Sequence, residues 1–160
     1  MDERLTHLPM YNSLFSHDGI RDSQTHLAAP ALFYELLRRQ VALSSRSETS
    51  FSAVKITFTR RALHKEFQAV SAEEILKFTC ELRILTRSED CIGRLGINEC
   101  VALIANGELA ARQLVSRLHS SSALSLKESL HISISMVTSL RGETGLQLLN
   151  RLDEAPLSTH

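Results

Sequence analysis

The fold is decided by residues 91–105, which read CIGRLGINECVALIA. Two short apolar runs, 91–95 and 99–105, flank the segment Gly96-Ile97-Asn98. Apolar runs joined by a short segment that contains Gly and Asn predict a β-hairpin, because these two residue types supply turn geometry. The hairpin is the reference for assigning the elements on either side of it.

Hydrophobic spacing predicts a helix where apolar residues recur at three and four positions, and a strand where they alternate. Ser71 followed by Glu74 adds a capping-box pattern, which marks a helix start. The expected helices are 2–15 with a break at Pro9, 29–43, 71–86, 106–118 and 143–154, and the expected strands outside the hairpin are 51–58 and 130–136. This order predicts an α/β (α+β) domain with helices packed on a mixed sheet.

Composition restricts the function classes. A chain of 160 residues with 43% hydrophobic and 22% charged residues is the size of one globular domain. Eighteen basic residues balance eighteen acidic ones, which argues against a broad nucleic-acid binder. Fourteen of the basic residues are Arg, the side chain suited to bidentate recognition of phosphate and guanine.

Cysteine usage and hydropathy indicate the compartment. The three cysteines, Cys80, Cys91 and Cys100, cannot all pair and form no CxxC motif, which favours a reducing environment. No apolar run approaches the roughly 20 residues that span a bilayer. We therefore expect a cytoplasmic protein without a membrane span. The seven His show no ligand spacing, so no metal site is expected.

Four blocks in order resemble the GGDEF domains that make cyclic di-GMP. Residues 5–9, LTHLP, are similar to the family's LTGLP helix motif, and residues 94–100, RLGINEC, to its RxGGDEF hairpin. Residues 132–135, ISIS, are similar to its late VSIG strand, and residues 148–155, LLNRLDEA, to its LLxxADxA helix. The resemblance implies a single domain over 1–160, with an N-terminal helix and loop at 1–27 and a core at 28–155, and a nucleotidyl-cyclase-like central sheet wrapped by helices.

The resemblance also implies that the cyclase chemistry is lost. Family members hold metal ions with acids at the first core strand and at the third signature position, and here those positions carry Lys55 and Asn98. The guanine-reading positions carry Leu63 and Ala72, and the second signature glycine is Ile97. The signature Gly-Gly-Asp-Glu-Phe is thus replaced by Gly96, Ile97, Asn98, Glu99 and Cys100, with only Glu99 left of the catalytic set. We expect no enzyme activity, no catalytic residue, no metal and no cofactor.

The resemblance implies one retained ligand site. Many family members bind their product at an inhibitory RxxD motif five residues upstream of the signature, and residues 87–90, RSED, match both the motif and the gap. An Arg can donate to O6 and N7 of guanine, and a carboxylate can accept from its N1 and N2 hydrogens. The family often adds an Arg from the helix after the hairpin, which is Arg117 here, with Arg112 as the alternative. A surface salt bridge between Arg87 and Asp90 without function remains the plain alternative.

The expected function is therefore that of a catalytically inactive GGDEF domain acting as a cyclic di-GMP receptor through Arg87, Asp90 and Arg117, and signalling to a protein partner. The ligand could bridge two copies into a homodimer. The resemblance associates such receptors with exopolysaccharide, biofilm or pilus regulation. The absence of a fused sensory domain favours a stand-alone adaptor or a fragment. The alternatives are a nucleotide-independent interaction scaffold and a weak diguanylate cyclase.

Overall fold

The computed structural model describes residues 17–61 and 69–159. Four helices and five strands follow one another along these ranges. The helices are α1 Pro30–Ser47, α2 Ala72–Leu85, α3 Gly107–Ser120 and α4 Gly145–Glu154. The strands are β1 Ser52–Arg60, β2 Cys91–Gly96, β3 Glu99–Ile104, β4 Leu130–Thr138 and β5 Ser158–Thr159.

The strands form one sheet in the order β2-β3-β1-β4-β5, and all four pairings are antiparallel. The α+β class expected from the sequence is confirmed. Where a mixed sheet was expected, parallel pairing within the described ranges is confined to an isolated bridge between Ala28 and Gly93. That bridge joins the segment before α1 to the edge strand β2.

Alternation along β1 supplies a core on each face of the sheet. Val54, Ile56 and Phe58 pack against α2 and α3, where the Phe58 and Phe78 rings stack with centroids 4.0 Å apart. Ala53 points the other way, into the layer under α1 and α4. Helices therefore cover both faces of the sheet, although the face that carries Ala53 also carries the polar Lys55 and Thr57.

The element boundaries follow the local sequence. The capping box of α2 is present as predicted, because Ser71 accepts from the Glu74 N–H and Glu74 reaches back to the Ser71 N–H. The last helix begins two residues later than predicted, because Thr144 and Gln147 form a second capping box. The predicted helix at 2–15, with the LTHLP motif at 5–9, lies outside the described residues, as does Leu63.

Residues 17–27 form the loop expected from the sequence, and this loop reaches into the core. Asp22 is 1% exposed and Leu27 is 2% exposed. The backbone of Ala28 then pairs with β2, through its N–H to Ile92 and its carbonyl to the Arg94 N–H. None of the helices in the described ranges is long and apolar enough to cross a membrane.

Candidate functional site

The candidate ligand site is a tight turn between α2 and β2. The Asp90 carboxylate accepts from the Arg87 backbone N–H at 3.0 Å, and the Asp90 N–H donates to the Arg87 carbonyl at 3.1 Å. An Asp side chain that caps a backbone N–H in this way is a common turn-forming device. The turn fixes the two motif residues relative to each other through the backbone, and it leaves the Arg87 guanidinium exposed with no hydrogen bond to another described residue.

Arg117 approaches the same turn from α3. Its Nε donates to the Leu85 carbonyl, 3.3 Å away, at the last residue of α2. The bond uses one edge of the guanidinium and ties α3 to the start of the turn. Arg117 is otherwise solvent-exposed, so its two terminal nitrogens remain available to a ligand.

The Asp90 carboxyl is influenced by its burial and by the charges around it. Partial burial raises the pKa of Asp90 above its usual value, and the hydrogen bond from the Arg87 N–H opposes that rise. The negative charge of Glu89 adds to the rise, whereas the charges of Arg87 and Arg117 lower the pKa. The hydrogen bond from Arg117 to the Leu85 carbonyl holds Arg117 next to the turn that Arg87 and Asp90 form. Arg112 is engaged elsewhere, because it donates to Glu108 through Nε at 3.0 Å and Nη2 at 2.6 Å.

The chemistry available at this turn is recognition of a small anion that carries base edges. Two exposed guanidinium groups can donate to phosphate oxygens or to O6 and N7 of guanine. The carboxylate between them can accept from N1 and N2 hydrogens. Stacked purine faces would also interact favourably with the guanidinium planes.

The predicted hairpin is present, and residues 96–99 form its tip. Gly96 pairs with Glu99, with a register irregularity between Arg94 and Gly96. Neither Gly96, Ile97 nor Asn98 adopts a positive φ, so the turn does not use the conformational freedom that we expected Gly and Asn to supply. Ile97 consequently fits without backbone strain, with 39% of its surface exposed.

The face of the sheet beside the hairpin tip carries Lys55, Thr57 and Glu99. Thr57 lies opposite Glu99 in register, and Lys55 is two residues away on the same face. Lys55 Nζ lies 2.9 Å from Asp153 Oδ1 on α4. The Asn98 Oδ1 atom, at the hairpin tip, is buried without a hydrogen-bond partner. An ammonium group and a neutral amide do not fit a divalent cation, which requires oxygen ligands of net negative charge.

Cys100 and Ala72, which the sequence analysis also named, make contacts that support the fold. Cys100 is buried, and that burial raises the pKa of its thiol to about 12, which keeps it an unreactive thiol. Ala72 is the first residue of α2, and its carbonyl accepts from Gln24 Nε2 at 3.0 Å.

Sequence reasoning missed a buried ion pair behind the hairpin. Arg94 and Asp22 are both 1% exposed, and Arg94 Nη1 donates to both carboxylate oxygens at 3.0 and 3.1 Å. Arg94 also donates to Gln24 and, through Nη2, to the Ile97 carbonyl at 3.0 Å. The sequence did contain a signal for this pair. Residues two apart on a strand share a face, so Arg94 lies on the same buried face as Ile92, and a buried guanidinium requires an acidic partner.

Comparison with known proteins identifies the fold. Neither a protein-family model nor a curated protein matches the sequence. Solved structures do match. The diguanylate cyclase SiaD of Pseudomonas aeruginosa, solved in complex with its activator SiaC, superposes with a TM-score of 0.70 at 20% identity, over 84% of this chain and 55% of that one. This chain thus spans about half the length of SiaD.

Two further structures are single GGDEF domains. The domain of DgcB from Caulobacter crescentus, in complex with c-di-GMP, matches with a TM-score of 0.69 at 16% identity, over 87% of this chain and 86% of that one. The GGDEF domain of FimX from P. aeruginosa matches with a TM-score of 0.64 at 16% identity, over 84% of this chain and 90% of that one. The chain has the fold of a GGDEF domain.

Proposed function

We propose that this chain is a catalytically inactive GGDEF-type domain that binds cyclic di-GMP at the α2–β2 turn and transmits the bound state to a protein partner. The observation that carries the proposal is the convergence of Arg87, Asp90 and Arg117 at the end of α2. Two exposed arginines around a backbone-anchored carboxylate match the donors and acceptors of a guanine dinucleotide.

The fold supports the choice of ligand. DgcB has the same fold and is seen in complex with c-di-GMP, and SiaD is seen with a protein activator. A local arginine site also reconciles anion binding with a net charge of zero, because recognition then depends on two side chains rather than on a global field.

The proposed lack of catalysis follows from the charges beside the hairpin. Joining two GTP molecules requires metal ions held by carboxylates, and at this face the Lys55 ammonium is paired with Asp153. Asn98 provides a neutral oxygen where an acid would be needed. Glu99 alone cannot balance a divalent ion. The residues present therefore support binding rather than turnover.

Calorimetric titration with cyclic di-GMP tests the receptor function. Substituting Arg87→Ala or Arg117→Ala removes charge-assisted hydrogen bonds worth about 1.5–3 kcal/mol each, so we expect roughly ten- to hundredfold weaker binding. Arg112→Ala is the matched control on α3, because Arg112 is held by Glu108, and it should bind like the parent.

Two results would contradict the proposal. No heat from the parent at tens of micromolar ligand would leave an interaction scaffold as the better reading. Formation of cyclic di-GMP from GTP with Mg²⁺ or Mn²⁺, abolished by Glu99→Ala, would show that the domain is an enzyme.

A further inference from the structure

Helix α2 carries a second apolar stripe that faces away from the sheet. Its inner face is accounted for, because Ile75, Phe78 and Leu82 are fully buried. On the outer face Leu76, Cys80 and Ile84 recur at intervals of four residues. Leu76 is 41% exposed, Ile84 is 74% exposed and Cys80 is exposed. A helix of 14 residues with apolar side chains on both faces leaves apolar area that a partner can bury.

We propose that this outer stripe is a docking surface for a second copy of the chain, with the two α2 helices antiparallel and a two-fold axis near Cys80. Leu76 and Ile84 are each four residues from Cys80, on either side of it. A two-fold contact is self-complementary, so it brings Leu76 of each copy toward Ile84 of the other and sets the two Cys80 side chains close together.

The charges beside the stripe match this arrangement. Lys77 and Glu81 are one helical turn apart on the same flank of the stripe, whereas Arg83 lies on the other flank. Antiparallel docking brings Lys77 beside Glu81 of the second copy and keeps it away from Arg83 of that copy. Parallel two-fold docking would instead bring the flank that carries Lys77 against the flank of the second copy that carries Arg83, which places like charges on facing flanks. The contact of Lys77 with Glu73, at 2.9 Å, is an exposed pair that can rearrange at little cost.

The size of the contact predicts a transient dimer. One face of a single helix buries less than the roughly 800 Å² per partner of a standard stable interface. Since α2 ends at Leu85, five residues beyond Cys80, the two Arg87–Asp90 turns lie at opposite ends of the contact, at least about 15 Å apart along the helix axis. Association therefore requires no dinucleotide, and it does not depend on the proposed function.

A short bis-maleimide cross-linker, added to the reduced chain without nucleotide, tests the proposal. Cys80 is the exposed thiol, while Cys91 is half-buried and Cys100 is buried. We expect a covalent dimer from the parent and from Arg87→Ala, and none from Cys80→Ser. Ile84→Asp should reduce the yield several-fold. Leu146→Asp, at an equally exposed leucine on α4 across the sheet, should cross-link like the parent.

A charge swap provides an independent readout that does not rely on apolar substitutions. Lys77→Glu alone should lower the cross-linked yield, and adding Glu81→Lys to the same chain should restore it. Far-UV circular dichroism confirms that each variant is folded. The proposal is overturned if the parent gives no dimer at hundreds of micromolar, if Cys80→Ser still cross-links, or if Ile84→Asp and Leu146→Asp give equal yields.

Discussion

Removing the acid from the buried Arg94–Asp22 pair should cost more stability than any other single isosteric change at an ion pair described above. In Asp22→Asn the side chain keeps its size but loses its charge. The Arg94 guanidinium then remains 1% exposed without the carboxylate that accepts two of its hydrogen bonds. One of the two Asp22 carboxylate oxygens, Oδ2, also accepts from the Thr25 N–H at 2.7 Å and from the Thr25 hydroxyl at 2.6 Å.

The magnitude follows from the cost of an unpaired buried charge. Breaking one partner of a buried ion pair costs about 3–5 kcal/mol. A whole domain is stable by only about 5–15 kcal/mol, so the variant should fold but with a midpoint lower by roughly 6–20 °C. The hairpin tip would loosen with it, because Arg94 also holds the Ile97 carbonyl.

Urea denaturation followed by far-UV circular dichroism measures this cost. The matched control is Glu108→Gln, which breaks an ion pair whose side chains are 57% and 68% exposed and which should change stability by less than about 1 kcal/mol. If Asp22→Asn and Glu108→Gln lost the same free energy of unfolding, the argument that burial sets the cost would fail. Replacing both Asp22 and Arg94 by apolar residues should cost less than Asp22→Asn alone.

Three other predictions concern packing and protonation. Gly93→Ala should destabilise the fold by about 1–3 kcal/mol in urea, because its Cβ would lie 2.5 Å from the buried Phe33 ring, whereas Gly96→Ala, with 3.5 Å to its nearest neighbour, should not. Hydrogen bonds from Arg151 lower the pKa of Glu143, so this pair stabilises the fold fully above pH 4.5 and progressively less as the pH falls through the lowered pKa. In Glu143→Gln, the free energy of unfolding should depend less on pH in that range, and an unchanged slope would contradict this prediction. Burial raises the pKa of Asp90, so on acidification the affinity for cyclic di-GMP should begin to fall at a higher pH than it would with an Asp of ordinary pKa. In Asp90→Asn, calorimetric titrations at several pH values should show no such loss of affinity on acidification.

The sequence predicted the elements whose signals are local. The hairpin at 91–105 and the capping box of Ser71 and Glu74 were identified correctly, because turn spacing and capping depend on neighbouring residues. The predicted start of α4 was two residues early, because the Thr144 side chain caps the helix and its first residue is Gly145. The antiparallel order of the sheet could not be derived from periodicity, because strand pairing is set by long-range packing.

The candidate site was predicted in part. The RxxD turn is local, and the structure shows how its backbone closes. The choice between Arg117 and Arg112 depended on which face of α3 meets the end of α2, which a single sequence leaves open. Only the packed helices show that Arg117 reaches Leu85 while Arg112 bonds with Glu108. The partner of Arg94 was missed because Asp22 is 72 residues distant in the chain.

In the ion pair between Lys55 and Asp153, the carboxylate charge at this face of the sheet is neutralised by a side chain of the protein and not by an ion from solution. Its cation is covalently attached to β1, so its occupancy does not vary with the concentration of free Mg²⁺. Chelators and shifts in divalent-ion supply would then reach this face only through general ionic screening. Under the proposed receptor function, the affinity for cyclic di-GMP should therefore not change when the divalent-ion concentration changes at constant ionic strength.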